Sequence, residues 1–148
     1  MRFFLFDRVL EYKAGESSCG IKNVSIQEEF LIDHYERQPL MPSPLIVEAL
    51  AQLGGWTVTT SGEHRYLAVM VRIKGLQVLG SARPGDQIVL RVSLDAVNDF
   101  GATISAEALV DDQVIVKVAN ITYVLYEIPE EDRIGVKEQY TRLNGEGK

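Results

Sequence analysis

The sequence of 148 residues is poor in the residue types that define several classes of protein. Cys19 is its only cysteine, which excludes an internal disulfide and any metal site built from cysteines. The 15 basic residues form no tract and are outnumbered by 21 acidic ones, so nucleic acid is not expected as a partner. Neither a glycine-rich dinucleotide loop nor a P-loop occurs, so we expect no nucleotide site of these two kinds.

Long hydrophobic runs are also missing. Asp7 and Arg8 interrupt the apolar N-terminus too early for a signal peptide. The longest apolar stretch, residues 45–58, contains Glu48 and Gln52 and falls short of the ~20 residues that a membrane span needs. We therefore expect a cytoplasmic protein with no membrane partner. An apolar fraction of 46% over this length is typical of one globular domain.

The hydrophobic residues of the chain follow two different patterns. Residues 45–58 are apolar almost throughout, which predicts a long helix buried on all sides, with Ser43 as N-cap and Pro44 as first residue. Alternation with a period of two predicts antiparallel strands elsewhere. These cover residues 3–12, 20–25, 66–73, 87–96, 102–110 and 114–125. The predicted class is α+β, with an antiparallel sheet of about five or six strands wrapped around one long central helix.

The last twenty residues differ in composition from the rest. Residues 1–128 are predicted to form the single domain, and residues 129–148 a polar C-terminal tail. Val136, Tyr140 and Leu143 recur at helical spacing after an acidic first turn, which indicates a short helix on the surface.

Glu48 is the only charged residue of the predicted central helix. A buried carboxyl group needs a partner, and Gln52 follows at i+4 on the same face, within reach to orient it. Burial favours the neutral, proton-bearing form of a carboxyl group, so Glu48 is a candidate general acid. The alternative is a structural Glu48, solvated at a rim or paired with an arginine, and composition does not decide between the two.

A histidine and a helix start lie near Glu48 in sequence. His34 falls between a predicted strand end at residues 30–32 and the loop 39–42, where an imidazole can act as a base, although a lone loop histidine is more often only exposed. His64 has no such context and is expected to be a surface loop residue. The N–H of Ser43, at the start of the helix, can donate to a carbonyl oxygen that gains negative charge.

These residues and their neighbours resemble those of the bacterial 3-hydroxyacyl-[acyl-carrier-protein] dehydratases, over residues 5–126. The family's catalytic histidine and glutamate are fourteen positions apart, as His34 and Glu48 are. The matching segments are Asp7-Arg8-Val9-Leu10-Glu11, Asn23-Val24-Ser25-Ile26, Pro39-Leu40-Met41-Pro42, Glu48-Ala49-Leu50-Ala51-Gln52 and Pro84-Gly85-Asp86-Gln87.

The resemblance implies a hot-dog fold, a reaction that needs no metal and no cofactor, and a division of roles. His34 would remove the C2 proton, Glu48 would protonate the departing hydroxyl group, Gln52 would orient Glu48, and the Ser43 N–H would hold the thioester carbonyl. The family builds each site from the histidine of one subunit and the acid of the other, so the resemblance also implies a homodimer, with a higher assembly of dimers as a further option.

The partner implied by the resemblance is an acyl carrier protein, which is acidic. Arg72, Lys74 and Arg83 are the candidate contacts for it, and the alternative is that they are scattered, solvated charges. Two other functions fit a hot-dog protein. One is an acyl thioesterase, in which the carboxylate activates water, and the other is a non-catalytic subunit that binds acyl thioesters.

Overall fold

A computed structural model describes residues 4–32 and 37–144, so His34 lies outside the described residues. Within these residues the chain forms six strands and three helices. In chain order they are β1 (Arg8–Lys13), β2 (Ser17–Asn23), α1 (Glu29–Ile32), α2 (Ser43–Ser61), β3 (Tyr66–Val78), β4 (Gln87–Val97), β5 (Gly101–Val110), β6 (Gln113–Glu127) and α3 (Glu130–Leu143).

The strands form one antiparallel sheet in the order β1-β2-β4-β5-β6-β3. Helix α2 packs across it and contacts β2 to β6. The predicted antiparallel sheet around one long helix is therefore confirmed. Asp111 and Asp112 both have positive φ and join β5 to β6 as a two-residue hairpin, a geometry that aspartate tolerates. The sheet ends at β1 on one side and at β3 on the other.

Helix α2 is buried because no side of it is polar. Ile46, Leu50 and Leu53 are fully buried within one continuous core formed with the sheet. The helix comes close to the sheet at Gly54, where a Cβ atom would collide with the Ile104 side chain and the Tyr123 hydroxyl group. Side chains from the sheet therefore occupy the space that the glycine leaves.

The helix begins one residue earlier than predicted. Pro42, not Ser43, is the N-cap, and its carbonyl oxygen accepts from the N–H groups of Leu45 (2.9 Å) and Ile46 (3.3 Å). The φ of −57° and ψ of 130° of Pro42 lead the chain into the helix without a side-chain cap. Ser43 becomes the first helical residue and Pro44 the second, so the Ser43 N–H remains in the first turn, where no intrahelical acceptor exists.

The prediction of a strand end at residues 30–32 is wrong. These residues form α1, a single turn in which Leu31 is buried and its N–H donates to the Glu28 carbonyl at 2.9 Å. A short apolar run has no period, so it does not distinguish a strand from one helical turn. Other bounds also moved: β3 continues to Val78, where it still pairs with Val116 of β6.

Helix α3 occupies most of the segment after Pro129. It has no fully buried residue, and three acidic residues lie in its first turn, where the helix dipole favours them. Tyr140 and Leu143 pack partly against the core. The predicted domain boundary at residue 128 stays a prediction. None of the helices in the described ranges is both long enough and apolar enough to cross a membrane.

Candidate active site

A cleft of about 340 Å³ runs along α2 and is bounded by β3, the middle of β6 and α3. We call it the Glu48 cleft. Two of its polar side chains are Glu48 and Gln52, and the apolar and aromatic residues that line it are Phe4, Ala51, Gly55, Trp56, Leu67, Ala68, Val69, Met70, Tyr123 and Tyr140. The site therefore offers one carboxyl group in a mostly apolar surrounding, which suits a ligand with an apolar chain.

Gln52 fixes the position of the Glu48 carboxyl group. Its Nε2 donates to Glu48 Oε1 at 3.0 Å, and its Oε1 accepts from the Leu5 N–H at 2.8 Å. Leu5 is buried, so the main chain holds one end of the amide while the other end faces the carboxyl group. Glu48 is half-buried, and among residues 4–32 and 37–144 no lysine or arginine forms an ion pair with it.

Tyr123 of β6 lines the same cleft as Glu48 and was not singled out from the sequence. Its hydroxyl group donates to the Ala51 carbonyl oxygen at 2.7 Å. Burial and, to a smaller extent, the nearby charge of Glu48 raise the pKa of Tyr123 above its ordinary value, against a lowering by the Gly55 N–H. The phenol therefore remains a neutral donor. The Gly54-Gly55 pair was the available signal, because it leaves room on α2 for a large side chain.

The Ser43 N–H lies at the start of the same helix. Ser43 is half-buried, and no hydrogen bond from its N–H is found within the described part of the chain. Glu48 follows five residues later, about 7.5 Å along the helix axis at 1.5 Å per residue. One rigid element thus carries both the predicted carbonyl donor and the predicted acid.

The segment that contains His34 is attached at both flanks to one turn, residues 82–86. Before the segment, the Val24 N–H donates to the Asp86 carbonyl and the Gly85 N–H to the Val24 carbonyl, both at 2.9 Å. After it, the Met41 N–H donates to the Ala82 carbonyl at 2.9 Å. The motif segments that are distant in sequence are therefore adjacent in the fold at these two flanks.

A buried lysine reinforces the first flank. The Lys22 side chain is only 8% exposed, and its Nζ lies 2.5 Å from Glu28 Oε1 and 3.7 Å from Asp7 Oδ1. Asp7 Oδ2 also accepts from the Asn23 N–H at 2.7 Å. These contacts join the residue before β1, the end of β2 and the turn before α1 into one network, so the chain enters the segment from a fixed position.

The three basic residues predicted to meet a partner are all exposed. Arg72 and Lys74 lie two residues apart on β3, the strand at the edge of the sheet, and so share one face of the strand. Arg83 lies in the turn before β4, and its N–H donates to Asp86 Oδ2 at 2.7 Å. None of the three forms an ion pair with another described residue.

His64 lies in a loop, as the sequence predicted, but it is less exposed than expected. It is half-buried after α2, and its ring lies 5.8 Å from the ring of Tyr140 on α3. Burial, together with the neighbouring charge of Lys137, lowers the pKa of His64. Local sequence could not reveal this contact because it depends on where α3 packs.

The described residues offer no second reactive centre of an obvious kind. Between residues 4 and 144, leaving out 33–36, no group of three or more His, Cys, Asp or Glu side chains is placed to hold a metal ion. Cys19 is half-buried, and burial and the charge of Glu11 raise the pKa of its thiol, so the less reactive protonated form is favoured.

Comparison with known proteins finds relatives in sequence and, separately, solved structures with a similar fold. Residues 1–119 match the family described as the FabA-like domain. A 3-hydroxyacyl-[acyl-carrier-protein] dehydratase FabZ from Bacillus cytotoxicus is 40% identical over 126 residues, which cover 84% of this chain and 87% of that protein.

Solved structures extend the likeness of fold. The protein smu.793 from Streptococcus mutans, solved bound to acetyl CoA, has a TM-score of 0.68 at 14% identity and covers 88% of this chain and 96% of its own. A chain of the dehydratase heterocomplex ApeI:P from Xenorhabdus doucetiae has a TM-score of 0.64 at 13% identity, covering 90% and 88%. At such identities the likeness concerns the fold alone.

Proposed function

The chain belongs to the FabA-like family, and on that premise we propose that it dehydrates 3-hydroxyacyl thioesters, carried by acyl carrier protein, to trans-2-enoyl thioesters. The observation that supports this most is the carboxyl group of Glu48, held by Gln52 in a mostly apolar cleft. Elimination of water needs a proton donor for a poor leaving group, and a half-buried, oriented carboxyl group supplies one.

The reaction removes a proton from C2 and a hydroxyl group from C3. His34 takes the C2 proton, and the electron pair forms the double bond as the C3–O bond breaks. Glu48 protonates the departing hydroxyl group, which leaves as water. Gln52 holds Glu48 in place for this transfer by donating a hydrogen bond to its carboxyl group. Gln52 is itself held by a hydrogen bond from the Leu5 N–H. The histidine and the carboxyl group return to their starting protonation states when they exchange a proton through solvent.

The thioester carbonyl makes the C2 proton acidic because its oxygen accumulates negative charge. The Ser43 N–H, at the positive end of the α2 dipole, donates to that oxygen. Pro44 has no N–H to offer, so Ser43 is the donor of this turn nearest to the helix start. The acyl chain then follows the apolar walls of the Glu48 cleft, away from Ser43.

Activity of two variants tests these roles. We expect His34→Ala and Glu48→Gln each to lower enoyl formation from a short 3-hydroxyacyl thioester by at least ~100-fold, followed by absorbance. Release of free thiol is measured in parallel, because thiol without enoyl product would identify a thioesterase. Variants as active as the wild type would refute the assigned roles, and binding without turnover in the wild type would indicate a non-catalytic subunit.

We further propose that the active unit is a homodimer formed along β3. This strand is at the edge of the sheet, has 13 residues and carries exposed apolar side chains, among them Val69 (40%) and Val71 (55%). An uncovered edge of this length and composition favours pairing with a second strand. We expect Val71→Lys to give a monomer in sedimentation, while Val97→Lys, at an equally exposed valine of β4, leaves the dimer intact.

Mixing the two inactive variants tests whether a site is shared between subunits. In a heterodimer of His34→Ala and Glu48→Gln, one site combines both substitutions and the other combines neither. Subunit exchange should therefore restore about a quarter of the wild-type rate, since half the dimers are mixed and each has one intact site. No recovery after proven exchange would place both residues in the same subunit.

The carrier protein is proposed to meet Arg72, Lys74 and Arg83. These exposed cations lack described acidic partners, so they remain available to an acidic protein in a chain of net charge −6. We expect Arg83→Glu to raise KM for a carrier-protein thioester several-fold and to leave KM for a small-molecule thioester unchanged. Equal effects on both substrates would contradict a docking role.

A further inference from the structure

The Glu48 cleft has a defined far end. Glu48, Gln52 and Trp56 recur every four residues on one face of α2, so the cleft extends about 12 Å along the helix at 1.5 Å per residue. At Trp56 it meets α3. The ring of Tyr140 lies 6.4 Å from the ring of Trp56, and Trp56 Nε1 donates to the Tyr140 carbonyl oxygen at 3.3 Å.

A second cavity, of about 470 Å³, borders the same helix and is open to solvent. It is lined by the start of β3, the end of β6 and α3, and we call it the α3 pocket. Because Leu67 pairs with Tyr126 while Met70 pairs with Tyr123, the Leu67 side chain lies on the face of the sheet opposite to Tyr123 and α2. The α3 pocket is therefore on the outer face of the sheet, and Tyr140 is the α3 side chain that lines the Glu48 cleft.

We propose that Tyr140 ends the acyl channel and so sets the maximum length of the acyl chain that this protein accepts. The inference rests on the proposed function, because it assumes an acyl thioester with its C3 at Glu48. Each methylene group buried in the channel improves binding about fourfold. A chain that reaches Trp56 gains nothing from further carbons, since they must either displace Tyr140 or stay in water.

The Tyr140 side chain can be substituted without detaching α3, because other contacts also hold this helix. The helix is attached away from Tyr140, where Arg133 Nε donates to the Ile128 carbonyl at 3.0 Å and Arg133 Nη2 lies 3.3 Å from Glu127 Oε1. None of its residues belongs to the fully buried core. Removing the Tyr140 ring therefore opens the end of the channel without removing a core side chain.

The experiment compares 3-hydroxyacyl thioesters of increasing chain length. In the wild type, kcat/KM should rise with length and then level off or fall. We expect Tyr140→Ala to favour a long over a short chain by at least ~10-fold relative to the wild type, which corresponds to two methylene groups. Ile134→Ala, at a 71% exposed position of α3, should keep the wild-type profile.

Circular dichroism confirms that each variant is folded. Tyr140→Leu, which removes the ring but keeps an apolar side chain, replaces Tyr140→Ala if the latter does not fold, and it should favour long chains to a smaller extent.

Calorimetry with saturated acyl thioesters separates the two proposals. These compounds lack the 3-hydroxyl group, so their dissociation constants report chain length without turnover. A length profile that shifts in Tyr140→Ala, in a wild type without dehydratase activity, would uphold the channel and refute the reaction. A profile unchanged by both Tyr140→Ala and Tyr140→Leu, or no binding at all, would overturn the proposed end of the channel.

Discussion

The two ends of the α2 face are held in different ways. Near Glu48 the positions depend on directed hydrogen bonds, as in the chain from the Leu5 N–H through Gln52 to the carboxyl group. Near Trp56 they depend mainly on aromatic packing, with Tyr12 at 5.2 Å and Tyr140 at 6.4 Å between ring centres, beside a single longer hydrogen bond of 3.3 Å from Trp56 to a carbonyl oxygen. Proton transfer requires a fixed angle and distance, whereas chain length requires only a filled volume.

The difference implies that substitutions at the two ends should impair different properties of the protein. Removing a hydrogen-bonding group near Glu48 should disturb the geometry of the reaction even where little volume changes. Replacing an aromatic ring near Trp56 should change which substrate fits. The following substitutions test this contrast, beginning with the flank that leads towards His34.

The largest loss of stability is expected for Lys22→Met. The ammonium group is buried between Glu28 and Asp7, and its removal leaves two carboxylates without their cation. Breaking a buried ion pair in this way should lower the free energy of unfolding by about 3 kcal/mol, measured by urea denaturation. Lys13→Met, at an exposed lysine of β1, should change it by no more than about 0.5 kcal/mol. Equal effects would mean that the flank is not held by this pair.

Gln52→Leu should lower the catalytic rate strongly and the stability of the fold only slightly. The variant keeps the helix but releases Glu48 and leaves the Leu5 N–H without its acceptor. We expect kcat to fall about 10- to 100-fold from misplacement of the acid, while the free energy of unfolding falls by about 1 kcal/mol. Gln113→Leu, at the exposed start of β6, serves as the control. An unchanged kcat would show that Glu48 needs no support from Gln52.

The same contrast explains which parts of the molecule were predictable. The central helix followed from residues 45–58, which have almost no polar side, and the β5–β6 hairpin followed from two alternating segments around Asp111 and Asp112. The Glu48–Gln52 contact was predictable because both residues belong to one helix. The membership of a dehydratase family, inferred from the motifs, is confirmed by the similar proteins.

Contacts between distant segments were not predictable from local patterns. Leu5 and Gln52 are 47 residues apart, and Trp56 and the Tyr140 carbonyl group are 84 apart. Tyr140 was correctly placed in a helix, yet nothing in its spacing indicated that the helix closes a cleft. The role of His34 remains a prediction that rests on the spacing of the motifs.

Tyr123→Phe should have a moderate effect, because it removes one hydrogen bond and no volume. The phenol donates to the Ala51 carbonyl oxygen from within the core. We expect the free energy of unfolding to fall by about 1 kcal/mol in urea denaturation, with kcat changed far less than in Gln52→Leu. A loss of kcat as large as that of Gln52→Leu would show that Tyr123 also supports the acid, and the two ends of the face would then be less distinct than proposed.

The smallest expected effect is on the pH dependence of stability, through His64 near the Trp56 end of α2. The folded protein lowers the pKa of His64 from its ordinary 6.5 through burial and then through Lys137, so the unfolded chain binds this proton first. The stability contributed by neutral His64 is complete above pH 6.5 and is lost as the pH falls through the lowered value. The thermal midpoint of the wild type should therefore decrease more between pH 7 and pH 5 than that of His64→Asn. Asparagine tolerates the positive φ of 61° at this position, so the comparison isolates the ring. Parallel curves for the two proteins would mean that protonation of His64 does not affect the packing of α3.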